Sequence, residues 1–178
     1  DNGQTDEGRA YMYLGGVDPR YQWNTNTSGS WHVATNWNPA VVPGGQYTRV
    51  TIDRPSADVT VQHTTGSTDV LDLTCEETLE IAGGALTVLG AGRIIGALSV
   101  SGATLQSRGD FRAYGPAYLN NASLYANQGA HARLLLPTAT SYSHQANWYS
   151  VTWEALDGAL LDLSGLLTVS DPANQSDL

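Results

Sequence analysis

The sequence predicts an all-β fold, a right-handed parallel β-helix with coils of about 19–20 residues, and three observations carry that expectation. First, a short motif returns at fixed spacing. Leu79, Ile81, Gly83 and Leu86 are matched by Leu98, Val100, Gly102 and Leu105 at an offset of 19, and a further step of 19 lands on Ala117, Leu119, Asn121 and Leu124. A period near 20 holding two or three brief strands is one coil of a solenoid, in which equivalent aliphatic side chains stack from coil to coil. Second, Asn121 stands where the earlier copies carry glycine. Asparagine tolerates the left-handed backbone of a tight turn better than other residues with a side chain, so the copies agree on a turn there. Third, 19 glycines, a single phenylalanine and a single methionine, with apolar runs broken by Gly, Ser, Asn or Asp, are a strand-and-turn composition. A β-sandwich with strands recurring every 8–12 residues or so is the competing arrangement. Hairpin sheets do not require equal strand-plus-turn lengths and solenoids do, which favours the helix.

Taken along the chain, residues 1–18 read as a linker or the remnant of a preceding repeat, and residues 19–47, with Trp23, Trp31 and Trp37, as an aromatic-rich cap. A solenoid end exposes apolar core and unpaired backbone, and tryptophans are large enough to cover it. Residues 48–132 are the regular coils, with Val59-Thr60-Val61 preceding the first copy by 20. Leu79, Ile81, Leu86, Leu98, Val100, Leu105, Leu119 and Leu124 face the core; Glu80, Thr87 and Ser99 face water. Residues 133–154, with Tyr142, Trp148, Tyr149 and Trp153, read as an aromatic loop or enlarged coil pushed out of the stack. Residues 155–178 read as a further, truncated coil in which Leu161 and Leu163 repeat the core spelling. Helix is nearly absent: the stretch Trp153 to Leu163 comes nearest to helical spacing, and Gly158 interrupts it.

The stretch Ser30-Trp31-His32-Val33-Ala34-Thr35-Asn36-Trp37-Asn38, then Val42-Pro43-Gly44-Gly45 and Val50-Thr51-Ile52-Asp53, resembles the opening of β-helical passenger regions in bacterial autotransporter-like and other large surface proteins. The resemblance implies that a Trp and Asn-Trp segment leads into the first coil, and with the coils it extends over most of the chain. Thr5 to Gly15 resembles the closing strand of an FG-GAP, integrin-α-like propeller repeat. The Asp-rich calcium loop and the Phe-Gly and Gly-Ala-Pro elements of that repeat are absent, so the implication is a mosaic parent rather than a blade.

Charge and chemistry point away from several functions. Net charge is −9 and all eight basic residues are arginine, dispersed with no basic cluster. That pattern disfavours nucleic acid, anionic membrane surfaces and acidic polysaccharides as partners. No apolar run of 18 exists, so no membrane insertion is expected. One cysteine, Cys75, allows no internal disulfide, and Glu76 and Glu77 beside it make it a buried filler rather than a nucleophile. His32, His63, His131 and His144 lack metal-site spacing, and Asp58, Asp69, Asp72 and Asp110 do not recur at the 19-residue offset that would stack them into an acid–base pair. No catalytic, cofactor or metal residue is therefore assigned. The expected role is a non-enzymatic structural or adhesive segment of a secreted, periplasmic or cell-surface bacterial protein, contacting a protein partner or cell-surface glycan and open to assembly with other subunits. Two alternatives stand beside it. One is a carbohydrate-binding module using Tyr142, Trp148, Tyr149 and Trp153; the other is a fragment of a β-helical polysaccharide lyase or hydrolase.

Overall fold

A computed structural model describes residues 19–128, 131–145 and 150–170. The expected linker or repeat remnant at 1–18, Trp148, Tyr149 and the end of the last coil fall outside these residues. Alternation of apolar and polar residues sets the local structure, because a strand turns successive side chains to opposite faces. The capped end holds β1 (Arg20–Trp23), β2 (Gly29–Ser30), one 3-10 turn (Ala34–Asn36), β3 (Trp37–Asn38) and β4 (Gly45–Ile52). Next come β5 (Thr60–His63) and the long β6 (Ser67–Cys75). Three coils follow: β7 (Thr78–Ile81), β8 (Ala85–Val88) and β9 (Ala91–Ile94); β10 (Leu98–Ser101), β11 (Thr104–Ser107) and β12 (Asp110–Ala113); β13 (Ala117–Asn120), β14 (Ser123–Ala126) and β15 (Arg133–Leu135). Then come β16 (Ala139–Ser143), β17 (Trp153–Ala155), β18 (Leu160–Asp162) and β19 (Thr168–Ser170).

These strands wind a β-solenoid of about five turns with almost no helix. One face runs β2-β5-β7-β10-β13-β16-β19. The other two meet at β6, whose first half, Ser67 to Val70, pairs with β8 while its second half, Leu73 to Cys75, pairs with β9. From there a second face runs β8-β11-β14-β17 and a third runs β9-β12-β15-β18. Every described pairing is parallel except β1 with β3. Parallel pairing rules out the β-sandwich, whose sheets are antiparallel.

The predicted register is present. Leu79 lies beside Leu98 and Leu98 beside Ala117, with Ile81, Val100 and Leu119 forming a second inward column. On the second face Leu86, Leu105 and Leu124 stack in turn. All are buried, and each fully buried leucine contributes about 1.5–3 kcal/mol against exposure. The turn column is also real: Gly66, Gly84, Gly102 and Asn121 have φ of 71°, 68°, 59° and 46°. In the first copy the left-handed residue is Gly84 rather than Gly83.

Four expectations need correction. Val61, not Val59, lies beside Leu79, because that coil is 18 residues long. Leu161 does not continue the Leu79 column; it pairs with Leu134 on the third face, and both Leu161 and Leu163 are partly buried, packed against the core. Thr87 points outward yet is 5% exposed, because the Gln106 side chain covers it and accepts its hydroxyl at 3.3 Å. The described residues of 133–154 are not pushed out of the stack: β15, β16 and β17 continue all three faces.

The three tryptophans pack against one another. Trp37 meets Trp23 and Trp31 edge-on at 5.0 Å each, all three are buried, and the Trp37 Nε1–H donates to the Trp31 carbonyl at 2.7 Å. Parallel pairing of β1 with β4 ties this cap to the third face.

Candidate functional site

Of the four aromatics expected to contact a ligand, Tyr142 and Trp153 are described. Both occupy inward positions of the last coil. Tyr142 follows Leu119 on the first face and is 4% exposed; Trp153 follows Leu124 on the second and is half-buried. Their rings meet edge-on at 4.6 Å, and the Trp153 Nε1–H donates to the Ala122 carbonyl at 3.1 Å. A shallow apolar recess of about 270 Å³ opens beside them, lined by Tyr142, His144, Val151, Trp153 and Val169.

The register assembles a different set of chemistry-bearing side chains on the outside of the third face. Inward positions there form the column Val50, Leu73, Gly92, Phe111, Leu134 and Leu161. Residues on either side of each inward position must then point outward. One outward column carries Arg20, Arg49, Asp72, Ala91, Asp110 and Arg133; the other carries Thr51, Thr74, Arg93, Arg112, Leu135 and Asp162. Five of the eight arginines thus share one surface. Arg49 Nη1 lies 2.7 Å from Asp72 Oδ2, and Asp72 Oδ1 accepts the Ala91 N–H at 2.7 Å. Arg133 Nη1 is 3.9 Å from Asp110 Oδ2. Arg93 and Arg112 place their guanidinium carbons 5.2 and 5.1 Å from the ring centre of Tyr114, which is 51% exposed. Both distances fall within cation–π range. Ala91 is the small residue of the first outward column, and a recess of about 260 Å³ lies between it and Arg93, Asp110, Arg112 and Tyr114.

This face corrects the expectation that basic residues are dispersed. It was legible in part: Arg93 and Arg112 are 19 apart, and Asp72 and Asp110 sit two coils apart in one column, a recurrence that a single 19-residue step misses. By strand spacing those two backbone positions are about 9.6 Å apart, at the outer limit for an acid–base pair that works through a water. Asp162, at the far end of the second column, has its carboxyl held below the usual range by hydrogen bonds from Ser164, helped to a smaller degree by the positive charges of Arg112 and Arg133.

Two buried groups away from this face are held by hydrogen bonds within the stack. His63 is buried in the aliphatic column ahead of Ile81, with Nδ1 3.1 Å from the Gly83 carbonyl and Nε2 2.9 Å from the Thr68 hydroxyl. Burial lowers its pKa, and His32, whose ring centre is 4.7 Å away, lowers it further. Cys75 is buried and donates to the Glu77 carbonyl at 3.2 Å; burial first, then Glu77 and Glu76, push its thiol up to about 12. Among the described residues no three His, Cys, Asp or Glu side chains gather as a metal site, and no helix is long and apolar enough to cross a membrane. No family model, curated protein or solved structure matches this chain.

Proposed function

We propose that this chain is a non-enzymatic structural and adhesive β-helix segment of an extracellular or cell-surface bacterial protein, a rigid contact module within a larger assembly. The observation that carries the reading is the third face, where arginines and aspartates stand in straight outward columns along the coils, with Tyr114 beside Arg93 and Arg112. A surface repeated at strand spacing suits a long partner better than a small substrate. Asp72 supports the non-enzymatic side: both its oxygens are engaged, one by Arg49 and one by the Ala91 N–H. The aromatic carbohydrate-binding alternative has weaker support, since Tyr142 is almost wholly buried.

The test is incubation of the chain with a panel of neutral and acidic polysaccharides, scoring new reducing ends and unsaturated products. The proposal predicts none. Cleavage that disappears in Asp72→Asn or Asp110→Asn would replace it with the lyase or hydrolase reading.

A further inference from the structure

We infer that the third face binds a linear, carboxylate-bearing polysaccharide, a polyuronate, laid along the stack across β4, β6, β9, β12 and β15. The inference deepens the adhesive reading proposed above and rests on it.

Three features select this occupant. The first is charge placement. Arg49 is matched by Asp72, and among the described residues Arg93, Arg112 and Arg133 share the face with Asp110 and Asp162, so guanidinium groups outnumber carboxylates there although the chain is acidic overall. At physiological ionic strength fields decay over about 8 Å, less than two strand spacings. A polymer lying on this face therefore feels its arginines and little of the acids on the other two faces. Guanidinium forks match carboxylates with two parallel hydrogen bonds.

The second feature is spacing. Neighbouring outward positions in a column, such as Arg93 and Arg112, repeat at one strand spacing of about 4.8 Å. A pyranose in an extended chain advances by a similar length, so successive sugars meet successive coils.

The third is the mixed chemistry. Tyr114, flanked by Arg93 and Arg112, offers a flat exposed ring for the apolar face of a sugar, and the small outward Ala91 leaves a depression beside it. Asp110, 63% exposed along its side chain, accepts hydrogen bonds from hydroxyls. The same carboxylates would repel the closely spaced phosphates of nucleic acid, which carries a charge about every 1.7 Å of duplex axis. A sugar polymer brings hydroxyls as well as carboxylates, so both signs on the face find a partner.

The experiment is affinity electrophoresis of the whole chain through gels containing polygalacturonate, its fully methyl-esterified form, or double-stranded DNA. Wild type, Arg93→Gln, Arg112→Gln and Tyr114→Ala are compared, and circular dichroism melting confirms that each variant folds. The inference predicts retardation by polygalacturonate alone, weakening with added salt, and affinity about tenfold lower for each arginine variant, equivalent to about 1.4 kcal/mol. Retardation by DNA that equals or exceeds that by polygalacturonate, equal retardation by the esterified polymer, or unchanged binding in both arginine variants would overturn it. Binding to the esterified polymer that ignores these arginines would sink the inference and leave the adhesive reading standing. Arginine-dependent binding with cleavage of the polymer would leave the inference standing and sink the non-enzymatic reading.

Discussion

Gly92→Ala probes how closely the coils are fitted to one another. Gly92 and Phe111 are neighbours in the inward column of the third face, and Phe111, the only phenylalanine of the chain, is fully buried. A Cβ at Gly92 would stand 2.1 Å from Phe111 Cδ2 and 2.8 Å from its Cγ. Carbon atoms rest about 3.5–4.0 Å apart, so the ring would have to retreat by more than an ångström into a filled core. Such overpacking costs about 1–3 kcal/mol. The sign is diagnostic, since Gly→Ala at an ordinary backbone position stabilises by about 0.4–1 kcal/mol through the unfolded chain. Phe111→Leu alone should destabilise by about 1–2 kcal/mol, below the Phe→Ala range, because it leaves a smaller void. In that background Gly92→Ala should cost much less or turn favourable. Urea titration of the four proteins closes the cycle, with an expected coupling of 1 kcal/mol or so. A stabilised Gly92→Ala protein, or two effects that add to within about 0.5 kcal/mol, would refute the interlocking of ring and glycine.

Three further outcomes follow from the same geometry. Leu98→Asp should collapse several coils, losing about 1.5–3 kcal/mol of burial and stranding a charge, while the outward Ser99→Asp should leave the thermal midpoint nearly unchanged; equal midpoints would contradict the register. His63, with its pKa lowered in the folded state, should make stability complete above about pH 6.5 and let it fall as pH drops toward the folded value. The unfolded chain takes up that proton first, so the slope is at most about 1.4 kcal/mol per pH unit, and His63→Gln should remove it in denaturant titrations between pH 7.5 and 5.5. Cys75, buried with its thiol pushed up to about 12, should react with Ellman's reagent in the native protein only at the rate of unfolding; prompt labelling in the absence of denaturant would show the column open.

The sequence spelled out the parts of the fold where coil length is constant. Leu79, Leu98 and Ala117 fall in line because three coils share one period, and Gly102 and Asn121 mark the same corner for the same reason. Val61 was misplaced by two positions because the coil before is shorter, and nothing local marks that difference. Leu161 was assigned to the wrong face because a Leu-x-Leu-x-Gly run suits any strand that ends in a tight turn. The candidate site was harder to read. Arg93 and Arg112 recur at the common period, but Arg49 joins Asp72, and Asp110 joins Arg133, across steps of 23 residues. Net charge added a misleading signal, because a sum over the chain carries no information about which face each arginine occupies.

Scalar couplings across backbone hydrogen bonds, read by long-range HNCO spectroscopy, reach the parallel stack itself. The Leu79 amide should couple to the Ala97 carbonyl and the Leu98 amide to the Pro116 carbonyl, the donors lying 2.9 Å from their acceptors in both cases. Couplings linking these amides to a reciprocally paired, oppositely running strand would mean that the coils do not exist.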